Sequence, residues 1–577
     1  MRKWGFFLLG LVLILAGSFL AHSIQTAGGT RIEDVRFPGD KGVTQSALLY
    51  VPPSATAQHP APAVLVSHGY INTREMQSPF AIELARRGFV VLAMDMKGHG
   101  YSGGAVRFPG DDLGGAAALR YLASLPFVDK ANVGLEGHSM GGIPISSAAA
   151  AMPDGYKAIV YEGSTPGFLG AAKPPAFHNL QVVFGQYDEF APLMWGVPKG
   201  SMLPGAPKLA KAFGVSGPVV PGQTYGSVAD GSARRLVNPP VTHPMEHFSK
   251  AGVGAAVDWF QTTLQGAATP KPATDQIWFW KEIGTLAGFI GLIVLLMGTF
   301  ELLLTLPVFA GLNHPMEPVA ERRGWKWWVA FVLTAAIPAA TYYPFMKWGQ
   351  VFFPMQLFPQ YIQNQLLVWA LLNGLITLAL SFALRGGKPV FSNRWGGSAL
   401  IAAATVAVGY LSLVLVDAVW HVDYRFWVLG LKPLDARHAV MAIPYFVLWT
   451  AFFLIAIRAL TANLAVRGEG FLMQHSLWKI AMSLGFVVLL VWEYTTMFRT
   501  GLLATPSEPL NTIVAIQFVP LLAVVGALAA FTYRRTNSYV PGALICGALL
   551  AWYVTAGTAI HWYPGFKVQP PAAAARR

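Results

Sequence analysis

The chain has 577 residues, 54% of them hydrophobic and only 12% charged, with a net charge of +13. That length and apolar share argue against a single ordinary core and for at least two domains, one of them largely in lipid. The excess of Lys and Arg is spread between loops flanking apolar runs and a more polar region, with no basic, aromatic-interleaved patch, so nucleic acid is not an expected partner. In chain order, Arg2 and Lys3 precede GFFLLGLVLILAGSFLA, an apolar run from Gly5 to Ala21. Its length suits a signal peptide or a slightly short membrane helix, and no clean A-x-A cleavage site follows. Residues 1–22 are therefore read as an uncleaved anchor. Either reading sends the following domain out of the cytoplasm.

Residues from about 30 to 265 alternate short β-rich runs with helix-like runs, the βαβ rhythm of a doubly wound, mostly parallel sheet. The expected strands are PAVLVSHG, GFVVLAMD, NVGLEG, KAIVYEG and LQVVFG. The expected helices are PFAIELARR, DDLGGAAALRYLASL, the stretch from Gly141 to Met152, and SKAGVGAAVDWFQTTL. GAATPKPATDQ, residues 266–276, reads as a Pro/Ala/Thr linker.

From 277 to 565 the sequence predicts a polytopic helical membrane domain of about eight spans, centred near residues 295, 336, 374, 408, 449, 487, 522 and 551, followed by a tail over 566–577. Trp278, Trp280, Trp325, Trp327, Trp328, Trp348, Trp420 and Trp562 fall near span ends, as interfacial aromatics do. With the middle domain outside, Arg2, Lys3, Arg322, Arg323, Lys326, Arg385, Lys388, Arg394, Arg458, Arg467, Lys479, Arg534 and Arg535 fall inside. Only Lys347, Arg425, Lys432, Arg437 and Arg499 occupy the opposite loops, the bias expected of a plasma-membrane protein with an external domain. An even number of spans also leaves Lys567, Arg576 and Arg577 outside, against that bias, and a miscounted span would remove the conflict. The single cysteine, Cys546, lies in an apolar run and offers neither a disulfide nor a Cys-based metal site. An extracytoplasmic domain without cysteines is ordinary for a bacterium.

The chemistry centres on GLEGHSMGG, residues 134–142. Gly137-His138-Ser139-Met140-Gly141 has the G-x-S-x-G form of a strand-to-helix turn that raises a serine hydroxyl above a sheet. With LLYVPPS near its start, VSHGY after an early strand, MDMKGHGYSGG after the next and GHSMGG at the turn, the domain resembles α/β-hydrolases of the dienelactone-hydrolase and S9-peptidase-like branch. The resemblance covers about residues 30–265 and does not reach the membrane half.

A serine hydroxyl needs a base, and VTHPMEHFSK offers two. The resemblance favours His243, which leaves a short loop before the last helix, over His247, which reads as a packing residue. It likewise implies Asp188 as the acid, in the G-x-x-D turn of LQVVFGQYDEFAP, with Glu189 beside it as a solvated loop carboxylate. One oxyanion donor is the backbone N–H of Met140 at the start of a helix. The other, by resemblance, is the backbone N–H of Tyr70. His68, Asp95 and His99 are expected to brace the site. No cofactor or metal is expected for this chemistry.

Only about fifty residues separate Ser139 from Asp188, so bulk lies between Asp188 and His243, where MWGVPKGSMLPGAPKLAKAFGVSG is either a lid or an ordinary helix and loop. In the membrane half Asp417, His421, His438, Glu493, Arg499 and His561 cluster toward outer span ends, and Glu301 looks deep. These groups either hydrogen-bond to neighbouring helices and water, or line a polar vestibule for a lipid substrate or, less favoured, a metal. The expectation is a membrane-anchored serine hydrolase acting on an ester or similar acyl bond, with acyl transfer and peptide cleavage as variants. The rival is a transporter or assembly subunit carrying the hydrolase fold as an external interaction module.

Overall fold

The computed structural model describes residues 2–317, 322–383 and 391–568. Arg385, Lys388, Arg576 and Arg577, used in the charge comparison, lie outside them. The chain forms two compact units. One comprises Met1–Phe19, Gly284–Glu493 and Leu510–Ala556, and the other Leu20–Ile283, Tyr494–Pro509 and Gly557–Arg577.

The second unit is built on a nine-stranded sheet: β1 (Arg31–Pro38), β2 (Thr44–Val51), β3 (Ala61–Ser67), β4 (Val90–Asp95), β5 (Val128–His138), β6 (Ala158–Glu162), β7 (Leu180–Val183), β8 (Thr224–Tyr225) and β9 (Arg234–Val237), in the order β1-β2-β4-β3-β5-β6-β7-β9-β8. From β4 through β3, β5, β6 and β7 to β9 the neighbours are parallel, while β1, β2 and β8 join antiparallel at the two sides. β3, β4, β6 and β7 are buried along their whole length, as parallel strands covered on both faces must be, which is why they read as continuous apolar runs. Ser78–Ala85 and Lys250–Thr263 cover one face, and Gly115–Ser124 and Gly142–Ala151 the other. The fold is the doubly wound one expected, with crossovers that leave the carboxyl ends of the parallel strands along one edge.

The Pro/Ala/Thr stretch after the last of these helices is held in place. Arg87, fully buried and paired with Glu83 at 2.7 Å, donates to the carbonyls of Pro272 and Asp275 at 2.5 and 2.8 Å. The other oxygen of Glu83 accepts from the backbone of Ile277 and Trp278.

Among the described residues eight helices are long and apolar enough to cross a membrane, Gly5–Gln25 and seven after the linker. Trp325–Ala340 and Tyr342–Gly349, bent by 45°, make a further span if taken as one. The break, at Thr341, falls within the span expected near 336. Pro344, without an N–H to continue the ladder, is accommodated in the first turn of the second piece.

Candidate active site

Ser139 directly follows β5 with φ +54°, a left-handed conformation that a non-glycine residue adopts only where the surroundings impose it. The flanking glycines show what does so. A Cβ on Gly137 would fall on the carbonyl of Gly141, and one on Gly141 on the carbonyl of Ser67, so the turn closes only with both bare. Ser164 Oγ donates to the Ser139 carbonyl at 2.6 Å, and a 3-10 turn over Ser139–Gly141 leads into the helix Gly142–Ala151. The loop after β3 passes beside the serine: a Cβ on Gly69 would stand 3.1 Å from Ser139 Cβ. Met140 and Tyr70, the expected oxyanion donors, therefore flank the serine on the helix side and the loop side.

β7 and β9 are parallel neighbours, and their pairing continues past their ends. Tyr187 donates to the Val241 carbonyl at 3.1 Å and bridges to Thr242, so the next residues, Asp188 and His243, leave the sheet side by side. His243 Nδ1 lies 2.8 Å from Asp188 Oδ2, and both side chains are buried. Burial works against a charged imidazole here, but the Asp188 carboxylate and its hydrogen bond outweigh it and hold the His243 pKa above its ordinary value. His247 turns elsewhere, its Nδ1 3.3 Å from His138 Nε2.

Glu189 is not a solvated loop carboxylate. The turn bends it inward, where Oε2 accepts from the His243 backbone N–H at 2.8 Å and Oε1 from the Tyr494 hydroxyl at 3.0 Å. Burial, reinforced by the Asp188 charge and opposed by His243, pushes its pKa up to about 7.

Tyr70 is held by its own side chain, whose hydroxyl shares a 2.6 Å hydrogen bond with His561 Nε2. His561 follows the last apolar helix and reaches the site because the chain there pairs with the loop after β4. Val106 N–H donates to Ile560 at 2.8 Å, Ile560 N–H to Gly98 at 2.8 Å, and Trp562 N–H to Val106 at 2.9 Å. Burial lowers the His561 pKa to about 4, leaving a neutral ring. His68 Nε2 accepts from Met96 N–H at 3.1 Å, and Asp95 accepts from Arg74 N–H, Tyr101 N–H and Ser46 Oγ.

Sequence reasoning missed a buried layer behind this edge: Glu136 on β5, Glu162 at the end of β6, Glu246 and His138. Glu246 Oε1 accepts from Gly185 N–H at 2.5 Å, and Gln77 donates to Glu136 at 2.8 Å. Burial raises all three carboxyls well above the ordinary carboxylate range, and burial with the neighbouring His247, His243 and His68 lowers His138 well below its own. The available signal was a carboxylate inside an otherwise apolar strand, in LEG and VYEG. His138, His243 and Glu246 bring donor atoms within 4.8 Å of one another, a spacing that would suit a metal ion. His243 Nδ1, however, 3.7 Å from Glu246, is engaged by Asp188, so the arrangement fits proton sharing better. Between Asp188 and β8 lie the short helices Ala191–Trp195 and Pro207–Phe213 and a 3-10 turn, with Leu193 and Met202 exposed.

Most of the ionisable residues singled out in the helical half sit at helix ends, with Glu493 about two turns inside its helix. Glu301, expected deep, stands in the last turn of Trp278–Leu303, paired with Arg535 at 2.9 Å. The Asp417 carbonyl accepts from His421 N–H, His438 pairs with Asp435 at 2.8 Å, and Glu493 accepts from the Tyr343 hydroxyl at 2.9 Å. Arg499 lies in the last turn of Phe471–Thr500, where a cation complements the negative end of the helix dipole.

Residues 58–187 match the family model described as serine aminopeptidase, S33, a match that includes Tyr70, Ser139 and Met140 and stops one residue short of Asp188. A stretch of 114 residues is 30% identical to the uncharacterised protein YcjY of Escherichia coli (strain K12), covering 18% of this chain and 37% of that one. The chain thus spans little more than a third of that relative's length. Among solved structures, a dienelactone hydrolase from Anabaena variabilis is 22% identical over 41% of this chain and 99% of that one, with a TM-score of 0.29. An esterase from the archaeon Pyrobaculum calidifontis is 18% identical over 45% and 88%, also at 0.29. The sheet order and the family match make residues 31–264 an α/β-hydrolase domain. Beyond this domain the chain carries a set of long apolar helices.

Proposed function

We propose that the protein is a membrane-anchored serine hydrolase that cleaves an ester or similar acyl bond. The observation that carries this reading is a serine on a left-handed elbow at the same sheet edge as a His243–Asp188 pair at 2.8 Å. His243 takes the Ser139 proton as Oγ attacks the acyl carbonyl, and Asp188 holds the imidazole tautomer and stabilises the imidazolium. The Met140 and Tyr70 amides receive the oxyanion. His243 then protonates the leaving group, and water releases the acyl-enzyme. Exposed Leu193, Phe108 and Phe498 in the same unit favour a lipophilic substrate. The S33 family match favours, as a second reading, the same site acting on an amide.

For a bacterial plasma-membrane protein the charge bias sets the hydrolase domain outside. Tyr494–Pro509 and the chain from Gly557 onward belong to the same compact unit as that domain. Counting the bent pair as one span, they follow the sixth and eighth spans after the linker, so even parity returns both to the hydrolase side. This supports the count of eight, with Lys567 as an exception to the charge bias.

A membrane-impermeant fluorophosphonate applied to intact cells tests the reading. Wild type should be labelled and Ser139→Ala should not. Absence of labelling on a folded, surface-exposed wild type would move the function to the helical half.

A further inference from the structure

Asp188 and Glu189 are consecutive, and both serve His243, in different ways. Asp188 holds the ring through Nδ1, while Glu189 holds the backbone N–H. Glu189 is in turn held by a residue 305 positions away, Tyr494, whose hydroxyl donates to its second oxygen at 3.0 Å. One helical turn further on, Phe498 packs edge-on against Tyr187 with ring centres 5.2 Å apart. Two side chains from one stretch thus clamp the Tyr187–Glu189 turn that delivers the acid to the histidine. The Tyr70–His561 bond is a second contact of this kind, on the oxyanion side.

We propose that Tyr494 is a positioning residue of the hydrolase: by donating to Glu189 it keeps that carboxylate aligned on the His243 backbone, so that turnover depends on the segment Tyr494–Pro509. The inference rests on the proposed hydrolase reading. The physical basis is the geometry of a carboxylate accepting at both oxygens. Protonating it puts a hydrogen where one donor points, and His243 loses a charge-assisted bond that fixes its backbone. The titratable groups facing Glu189 are Asp188 from its own turn, His243 from the loop before the last sheet-covering helix, and Tyr494 from Phe471–Thr500.

The test uses the full-length protein in detergent with a p-nitrophenyl ester, and counts working sites by fluorophosphonate titration. Tyr494→Phe, which keeps the ring and removes the donor, should lower kcat per labelled site about tenfold, the scale of one charge-assisted hydrogen bond, with KM unchanged. It should also move the acid limb of the kcat/KM profile to higher pH, because a carboxylate that loses a donor has a higher pKa. In a Glu189→Gln background the same substitution should change kcat less than about twofold, since the two act through one contact. A purely structural tyrosine would reduce the number of labelled sites and leave kcat per site and the limb in place. That result, or additive effects in the double variant, overturns the proposal. Ser139→Ala separates the two failures. Ester hydrolysis that survives it refutes the hydrolase reading, whereas loss of hydrolysis with a silent Tyr494→Phe refutes only this inference.

Discussion

In the helical unit, acidic side chains meet basic ones: Glu301 with Arg535 at 2.9 Å, Glu469 with Arg323 at 2.6 Å, Asp423 with Arg425 at 2.8 Å and Asp435 with His438 at 2.8 Å. At the carboxyl edge of the hydrolase sheet, Asp188, Glu189, Glu246, Glu162 and Glu136 are instead buried with one another and with His138 and His243. The same domain shows that it can bury charge in the ordinary way. Arg74, 1% exposed, is ringed by Asp34, Glu75 and Asp95. Packing carboxyls together raises their pKa values and costs stability, and such arrangements cluster where a protein does acid–base chemistry. The difference favours the sheet edge as the place of the proposed chemistry and a structural role for the helical pairs. It weighs against the reading in which the hydrolase fold is a bare interaction module.

The largest effect that would sharpen this contrast is at Asp188. Asp188→Asn should keep the fold, turn the imidazole to the wrong tautomer, and lower kcat by roughly 10³- to 10⁴-fold. Loss of less than tenfold in an ester assay would mean that Glu189 or Glu246 is the working acid.

An intermediate effect is expected in the pH dependence of stability. Glu189 has a folded pKa of about 7, and burial raises those of Glu136, Glu162 and Glu246 as well. The folded state therefore retains protons that the unfolded chain has released above about pH 4.5, so stability is full below that value and falls as pH rises through the folded pKa values. The temperature at which fluorophosphonate labelling is lost should drop between pH 5 and pH 8. Glu246→Gln, which keeps an acceptor for Gly185 N–H, should flatten that drop; an unchanged slope would remove Glu246 from the account.

The smallest effect is expected in the helical unit. Glu301→Gln breaks a pair whose members are 24% and 20% exposed. Such pairs contribute on the order of 1 kcal/mol or less, so hydrolysis per labelled site should stay within about twofold of wild type. A large loss of activity there would break the comparison and return the helical half to consideration as the working part.

Much of the hydrolase domain was legible because its signals are local. The runs PAVLVSHG, GFVVLAMD, NVGLEG, KAIVYEG and LQVVFG fall on β3 to β7, though NVGLEG covers only the second half of β5, since strands buried on both faces read as apolar runs. β1 was not named, because RIEDVRFP lies half exposed at the edge, and β8 has only two residues. Asp188 and His243 were reached through a family resemblance, and the structure brings them together. Glu189 was misread because nothing in QYDEF says which way a turn carries its second carboxylate.

The sequence by itself determined the period of the strands, the glycine-flanked elbow at Ser139, and the apolar lengths that suit a bilayer, all properties of a few consecutive residues. Only the tertiary structure decided which carboxylates face which histidines. It alone also brought Tyr494 to Glu189 across 305 positions and His561 to Tyr70 across 491. Contacts at such separations leave no periodicity in the chain. They exist because the sheet aligns its strand ends on one edge and segments from the far end of the chain close over it.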